Sequence, residues 1–406
     1  MIRLLCALLA VGGVGVGLSV GVQVTAQSVE PVAVNVNTEA DIDTEADIDR
    51  YQQAVTLAKK ATDIGEIAQA TADSAQRSTL LHQEKALWKR AQAEVEKVSE
   101  QSGLSGRAIA KNTLYTKEIN QTNQQLAQLH TNLLPNIIQA TEANPETVHI
   151  SLCQIEPPST KICRHHLGDQ PLASAASLIK VPMAVALAHK AQAENIDLDT
   201  AIPVAPGNYT ENAEGALIEV GKSYSLREIM SQMIQRSDNI ATNQLIDYMG
   251  YSYLNRTTAG LGYSQTSIGH KLIGAQTVPA NFGTGLNQST TQDITAMMVH
   301  LYGSQQPGRK AIQLALSEQK DQELGYSALK PLSPTVKWLG EKTGQNSLVI
   351  ASTIAMEVDH GTDSKRYILT VALDHDHDVY LLNQIVYQVA LQLRQNGPLR
   401  PEISQT

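Results

Sequence analysis

The chain has 406 residues, 42% hydrophobic and 17% charged, which allows two or three folded domains and does not fit a disordered chain. A net charge of −9 leaves no surplus of cations for a nucleic-acid-binding face. Phenylalanine occurs once, at Phe282, with tyrosine and leucine carrying the bulk instead, and no functional meaning attaches to that.

Residues 1–26 read as an export signal: Arg3 at the start, an apolar stretch from Leu4 to about Val22, and small residues at Val24-Thr25-Ala26. The alternative is an uncleaved anchor over residues 4–22, because the run approaches the length that spans a bilayer. Either way the remainder is expected to be secreted or periplasmic, or held at a membrane from the outside. Cys6 lies too early, and without the flanks, to be a lipoprotein cysteine. Residues 27–49 read as an acidic linker, in which Thr38-Glu39-Ala40-Asp41-Ile42-Asp43 is repeated as Thr44-Glu45-Ala46-Asp47-Ile48-Asp49. Calcium binding is disfavoured there, since no EF-hand glycine or closing glutamate follows.

Residues 50–135 are rich in Ala, Gln, Lys, Glu and Leu. Apolar residues recur at helical intervals: Leu57, Ala61, Ile64 and Ala68, then Leu87, Ala91, Val95 and Val98, then Leu126, Leu129 and Leu133. The run Ser102-Gly103-Leu104-Ser105-Gly106 interrupts the pattern, which predicts a hairpin of two antiparallel helices joined at 102–106. Such a hairpin serves as a spacer from a membrane or wall, or as a partner-binding coiled coil.

Residues 136–406 form the remaining domain. Val148 to Glu156 and Lys161 to Leu167 predict two strands, carrying Cys153 and Cys163. In an oxidising compartment these two plausibly form a disulfide, with buried free thiols as the other reading. A zinc site would need two further ligands, and His165 and His166, adjacent on a strand, face opposite ways. Helical patterns run from Ser177 through Met298. Strands return at 337–343, 348–358 and 367–373, and Val379 to Arg394 predicts a last helix. The cluster Asp374-His375-Asp376-His377-Asp378 falls between strand and helix, so a solvated turn is preferred to a metal site. Strands at both ends with helices between them predict an α+β fold.

Three short motifs sit in this domain: Ser177-Leu178-Ile179-Lys180, Ser237-Asp238-Asn239 and Lys342-Thr343-Gly344. On a helix, residues three apart share a face, so Lys180 lies one turn from Ser177. A serine hydroxyl needs a base to become a nucleophile, and a buried lysine with a lowered pKa can be that base. Ser177 at a helix start would also sit where backbone amides favour negative charge. Ser237 offers a second hydroxyl relay and Asn239 an amide clamp, and both double as caps for a helix starting near Ile240. Lys342 would hold a substrate carboxylate from an adjacent strand.

These motifs, in this order and spacing, resemble the signature of class A β-lactamases and the related penicillin-binding proteins, over roughly residues 135 to 400. The resemblance implies an α+β β-lactamase-like fold: an antiparallel sheet with helices on both faces plus an all-helical subdomain, here preceded by the helical hairpin. It implies a serine hydrolase with no cofactor and no metal. Ser177, Lys180, Ser237 and Lys342 would be catalytic, and Asn239, Thr343, Gly344 and Gln345 would bind substrate. The oxyanion hole would be the Ser177 amide and that of Gln345 or Asn346. Partners would be a small-molecule β-lactam or a peptidoglycan peptide, with membrane or wall association through the N-terminal region. Class A enzymes also carry a loop glutamate in a Glu-x-x-Leu-Asn run, which activates the deacylating water. Here Leu286-Asn287 is present but Gly283 takes the glutamate's place, and Asp293 is the only acid from Tyr251 to His300. Fast deacylation by that route is therefore not expected. The alternatives are a D-Ala-D-Ala peptidase and a non-catalytic binding protein using the N-terminal helices.

Overall fold

In the computed structural model the described residues are 45–400, apart from 72–73, 157–159, 213–214, 304–305 and 362. The expected export signal and most of the acidic linker lie outside them. The chain divides into two units, residues 1–42 and 43–406, and only the second contains described residues.

Helix α1 spans Glu45–Ala70, so the last five residues of the expected linker are helical. Glu45 and Asp47 in the first turn complement the positive end of the helix dipole, and Arg50 donates to the buried Asp47 at 3.2 Å. Helices α2 (Ser74–Val95) and α3 (Ser105–Thr131) complete a three-helix bundle. The expected hairpin thus has a third arm, because α1 ends at Ala70 and α2 begins at Ser74, in addition to the break at 102–104. No glycine or proline marks that first break, which is why periodicity alone ran through it. Ala68 clusters with Leu81 beside the break, and Ala54 clusters with Val95 far from it, so α1 and α2 are antiparallel. Glu84 lies inside the bundle, accepting from Trp88 Nε1 and Thr122 Oγ1, each at 3.2 Å, and burial raises its pKa. Gly65 makes room for it: a Cβ there would come within 2.9 Å of the Glu84 carboxylate.

Helix α4 (Leu133–Ala140) crosses the expected domain boundary at 135/136 and presses Leu134, Ile137 and Ile138 onto the sheet domain. Pro135 is tolerated because it sits in the first turn, where its missing N–H is not needed. Strands β1 (Val148–Glu156) and β2 (Thr160–His166) pair with Cys153 opposite Cys163, and the two are disulfide-bonded. The chain then enters a 3-10 turn at Ala176–Ile179 and helix α5, Lys180–Ala193. A small ribbon, β3 (Ala201–Pro203) with β4 (Ser223–Ser225), was not foreseen. Next come α6 (Leu226–Gln235), α7 (Asn239–Met249), α8 (Tyr251–Gly260), α9 (Thr291–Tyr302), α10 (Pro307–Ser317) and α11 (Gly325–Leu329). Strands β5 (Val336–Asn346), β6 (Val349–Asp359) and β7 (Ser364–Asp374) follow, and α12 (Val379–Asn396) closes the fold.

The five long strands form one antiparallel sheet in the order β2-β1-β7-β6-β5. Both faces are covered, and the period-two alternation of β6 divides the core. Val349, Ala351 and Ala355 join the cluster of α5, α6, α7 and α9, whereas Ile350, Ile354 and Met356 join that of α4, α11 and α12. Helix α2 packs on α12, so the bundle rests on this second layer. No helix among the described residues is long and apolar enough to cross a membrane.

Candidate active site

Three element ends converge. The 3-10 turn and α5 bring Ser177 and Lys180, the start of α7 brings Ser237 and Asn239, and β5, an outer strand of the sheet, brings Lys342. Ser177 lies in the 3-10 turn just ahead of α5, rather than in the α-helix expected, and Ala176 before it has φ 42°. Ser237 has φ 55°. Each left-handed residue of this kind costs about 1–3 kcal/mol unless its surroundings enforce it, and such residues gather at functional sites.

Asp238, not the expected Ser237 and Asn239 pair, caps α7. Its Oδ1 accepts from Ala241 N at 2.9 Å and from Asn212 Nδ2 at 2.6 Å, and its Oδ2 accepts from Ile218 N at 3.1 Å. Asn212 Oδ1 in turn accepts from Asn239 N at 2.7 Å. The cap therefore frees the Ser237 and Asn239 side chains to face Lys180.

Lys180 is fully buried, and its Nζ has four oxygens in reach: Ser237 O at 2.6 Å, Ser237 Oγ and Asn239 Oδ1 at 2.9 Å each, and Ser177 Oγ at 3.1 Å. An ammonium has only three N–H groups. A neutral amine also engages three of the four, but with a different set of roles: it can donate to the two carbonyl oxygens, which can only accept, and turn its lone pair to one serine hydroxyl. Electrostatics favour the neutral form, since burial, then the Lys342 charge, holds Lys180 well below the ordinary lysine range against the opposing pull of Asp238. Lys342, also fully buried, donates to Thr343 O at 2.7 Å and Ser237 Oγ at 3.2 Å. Burial brings it down to about 8, although Asp321 and Glu341 pull upward. One hydroxyl, that of Ser237, thus joins two amines.

Strand β5 lies against the 3-10 turn. A Cβ on Gly344 would stand 3.0 Å from Leu178 N and 3.1 Å from Ser177 N, so any larger residue would push the strand and the turn apart by a few tenths of an ångström. Gln345 and Asn346 are exposed at the strand end, and the Asn346 side chain donates to Ser174 Oγ at 2.8 Å. Thr343 is buried beside Lys342.

The Asn287 side chain is held within its own loop: its Oδ1 accepts from Gly269 N at 2.9 Å and its Nδ2 donates to His270 O at 2.9 Å. Gly283 packs against Gly269 and Tyr251. The segment that meets α7 is Leu272, whose N–H and C=O are both held by the Asn243 side chain, at 2.8 and 3.0 Å. Asn243 lies one helical turn after Asn239, a spacing that went unread in the sequence. Lys271 beside Leu272 is fully buried and donates to Asn208 Oδ1 and Ala280 O at 2.6 Å each and to Asp247 at 2.7 Å. Nothing local in the sequence announces those three partners. Asp293 accepts from Gln265 N at 3.0 Å and Thr266 Oγ1 at 2.9 Å at the head of α9. Glu211 accepts from Gln276 N, Thr277 N and Thr277 Oγ1 at 2.6–2.9 Å, which holds it down to about 2.

Cys153, Cys163 and His165 lie within 4.8 Å of one another, but the two sulfurs are bonded to each other and so offer no thiolate to a metal. The 374–378 cluster is a turn: Asp376 accepts from Asp378 N at 3.0 Å and Asp378 caps α12. Asp374, its buried member, accepts from His149 Nε2 at 3.2 Å and Ala173 N at 2.9 Å.

An antiparallel sheet flanked by helices on both faces, with a helical half beside it, is the β-lactamase-like α+β fold. The chain belongs to the beta-lactamase enzyme family, whose profile matches residues 109–396. Among solved structures, PBP-A is 22% identical with a TM-score of 0.53, over 65% of this chain and 96% of that one. A mutant of PBP-A has been captured as its acyl-enzyme complex with penicillin G. A beta-lactamase from Sphaerobacter thermophilus is 21% identical with a TM-score of 0.51, over 67% of this chain and 99% of that one. A class A beta-lactamase of the last common ancestor of Gram-negative bacteria is 15% identical with a TM-score of 0.53, over 64% and 99%. No curated protein sequence matches the chain.

Proposed function

We propose that the protein is an exported serine hydrolase of the class A β-lactamase type, acylated at Ser177 by β-lactams or a similar amide. The observation that carries this reading is the buried Lys180 amine between the Ser177 and Ser237 hydroxyls. Lys180 takes the Ser177 proton as Oγ bonds to the carbonyl carbon. The amide C–N bond then breaks, and the nitrogen takes the Ser237 proton, which Lys180 replaces across 2.9 Å. Asn239 binds the substrate amide, and the Lys342 cation, flanked by Thr343 and Gly344, attracts its carboxylate. The Ser177 amide and that of Gln345 or Asn346 would form the oxyanion hole.

Deacylation is slow on this reading. Asp293 is engaged in holding the loop, and Glu211 is too weak a base at about 2. The same arrangement serves a D-Ala-D-Ala peptidase, whose substrate also ends in a carboxylate. The test has two stages. A fluorescent penicillin should label the wild type and not Ser177→Ala, read by mass spectrometry; equal labelling overturns the nucleophile. A chromogenic cephalosporin at high enzyme concentration should then give a burst of about one equivalent followed by a slow phase. Rapid steady turnover overturns slow deacylation.

A further inference from the structure

The C-terminal half of α5 borders a cavity of about 440 Å³, away from Ser177. This is within the size range of small-molecule sites, roughly 300–1,000 Å³. Its body is apolar, built from Val185, Ile196, Leu198, Leu261 and Leu301. Its polar side is cationic. Arg309 donates to the His300 carbonyl at 3.3 Å and has no carboxylate partner among the described residues, and His189 and His300 line the same cavity. Burial, then Arg309 and His189, holds His300 below its ordinary range, so the three groups crowd one another. Arg227, on the lining as well, is already paired with Asp199 at 2.7 Å, and Asp197, the lining carboxylate, acts on Arg227.

We propose that this cavity is a second ligand site that takes a small amphipathic carboxylate, its apolar body against α5 and its carboxylate on Arg309. It is distinct from the Ser177 site: residues 185–191 begin roughly 8 Å along the helix axis from Lys180. A bound ligand would nonetheless press on the helix that carries Lys180. The test is isothermal titration of the full chain with 4-phenylbutyrate and with the neutral 4-phenylbutanol. One saturable site is expected, with the acid binding about tenfold tighter than the alcohol. Arg309→Gln should remove that preference while leaving the alcohol unchanged, Arg309→Lys should keep most of it, and Lys342→Met should leave it intact. No saturable binding, equal affinity for acid and alcohol, or indifference to Arg309→Gln would overturn the proposal. So would loss of acid binding in Lys342→Met alone, which would place the ligand at the Ser177 site.

Discussion

At Lys180 and Lys342 the two amino groups are set apart by their surroundings. Lys180 faces two oxygens that can only accept, whereas Lys342 has one such partner and Ser237. Replacing Lys180 by alanine should lower the acylation rate by about 10²–10⁴, the usual loss of a positioned base. Stopped-flow labelling reads this directly, and a rate within threefold of wild type would remove Lys180 from the role. Lys342 gives a pH limb with a definite sign. Burial lowers it to about 8, so it is charged below that pH and neutral above. Acylation by a penicillin should fall by about 10–100-fold as pH rises through 8, the worth of one charged hydrogen bond. The penicillin methyl ester should lack this limb, and parallel behaviour of acid and ester would refute the carboxylate contact. Leu272 is the third residue of interest, because Asn243 fixes its backbone one turn along α7 from Asn239. Leu272→Glu should supply the missing base and speed deacylation by about 10²–10⁴. An unchanged slow phase with chromogenic cephalosporin would mean that position 272 does not reach the acyl group.

Among the elements, the loop of residues 264–290 is held by Asn243, Glu211 and Asp293 and, from within, by Lys271. Lys271 spends its three N–H groups on Asn208, Ala280 and Asp247. Lys271→Met should destabilise the protein by about 3 kcal/mol, the low end for a broken buried pair because Asp247 keeps some water. Urea unfolding checks it, and a loss under about 1 kcal/mol would mean that the loop holds without its lysine. A second tie joins β1, the end of β7 and the approach to Ser177: His149 donates to Asp374, which also accepts from Ala173. Burial opposes the charged imidazole, but the bonds to Asp374 and to Leu167 O outweigh it, and the His149 pKa ends above 6.5. The folded state therefore holds that proton more tightly than the unfolded one. The stabilisation is fully present below pH 6.5 and is lost as pH rises through the folded value. Thermal unfolding of wild type and His149→Asn should converge toward alkaline pH, and divergence would reverse the assignment. The sequence made the alternating strands, the final helix and the three motifs legible, since each is a local pattern of period or spacing. It did not reveal Lys271, Asn212 or the Asp238 cap as a set. Most of their partners, Asn208, Asp247, Ile218 and Asp238 among them, lie 20 to 63 residues away, and no local pattern records them. The tie between this loop and α7 is hidden in the same way: a Leu-Asn pair is local, whereas Asn243 holds Leu272 from 29 residues away.

For the whole molecule, the disulfide is a staple within one hairpin, away from Lys180 and Ser237. Its cysteines are 10 residues apart, so loop entropy assigns it about 2.7 kcal/mol. The double variant Cys153→Ser with Cys163→Ser should lose about that much in urea unfolding while its acylation rate stays within twofold. A tenfold fall in labelling would tie the hairpin to the site. The sheet order bears on time as well as on shape. β1 lies between β2, its neighbour in the chain, and β7, where Cys153 meets Ile368. Synthesis at about 5–20 residues per second delivers β7 roughly 10–40 s after β1. Throughout that interval one edge of β1 has no strand to pair with, and Ile150 and Leu152 have no core to enter, a condition that invites association with other chains. Its bond to β2 needs nothing made later, so once the hairpin reaches an oxidising compartment it can close and wait as a covalent unit for the last third of the chain.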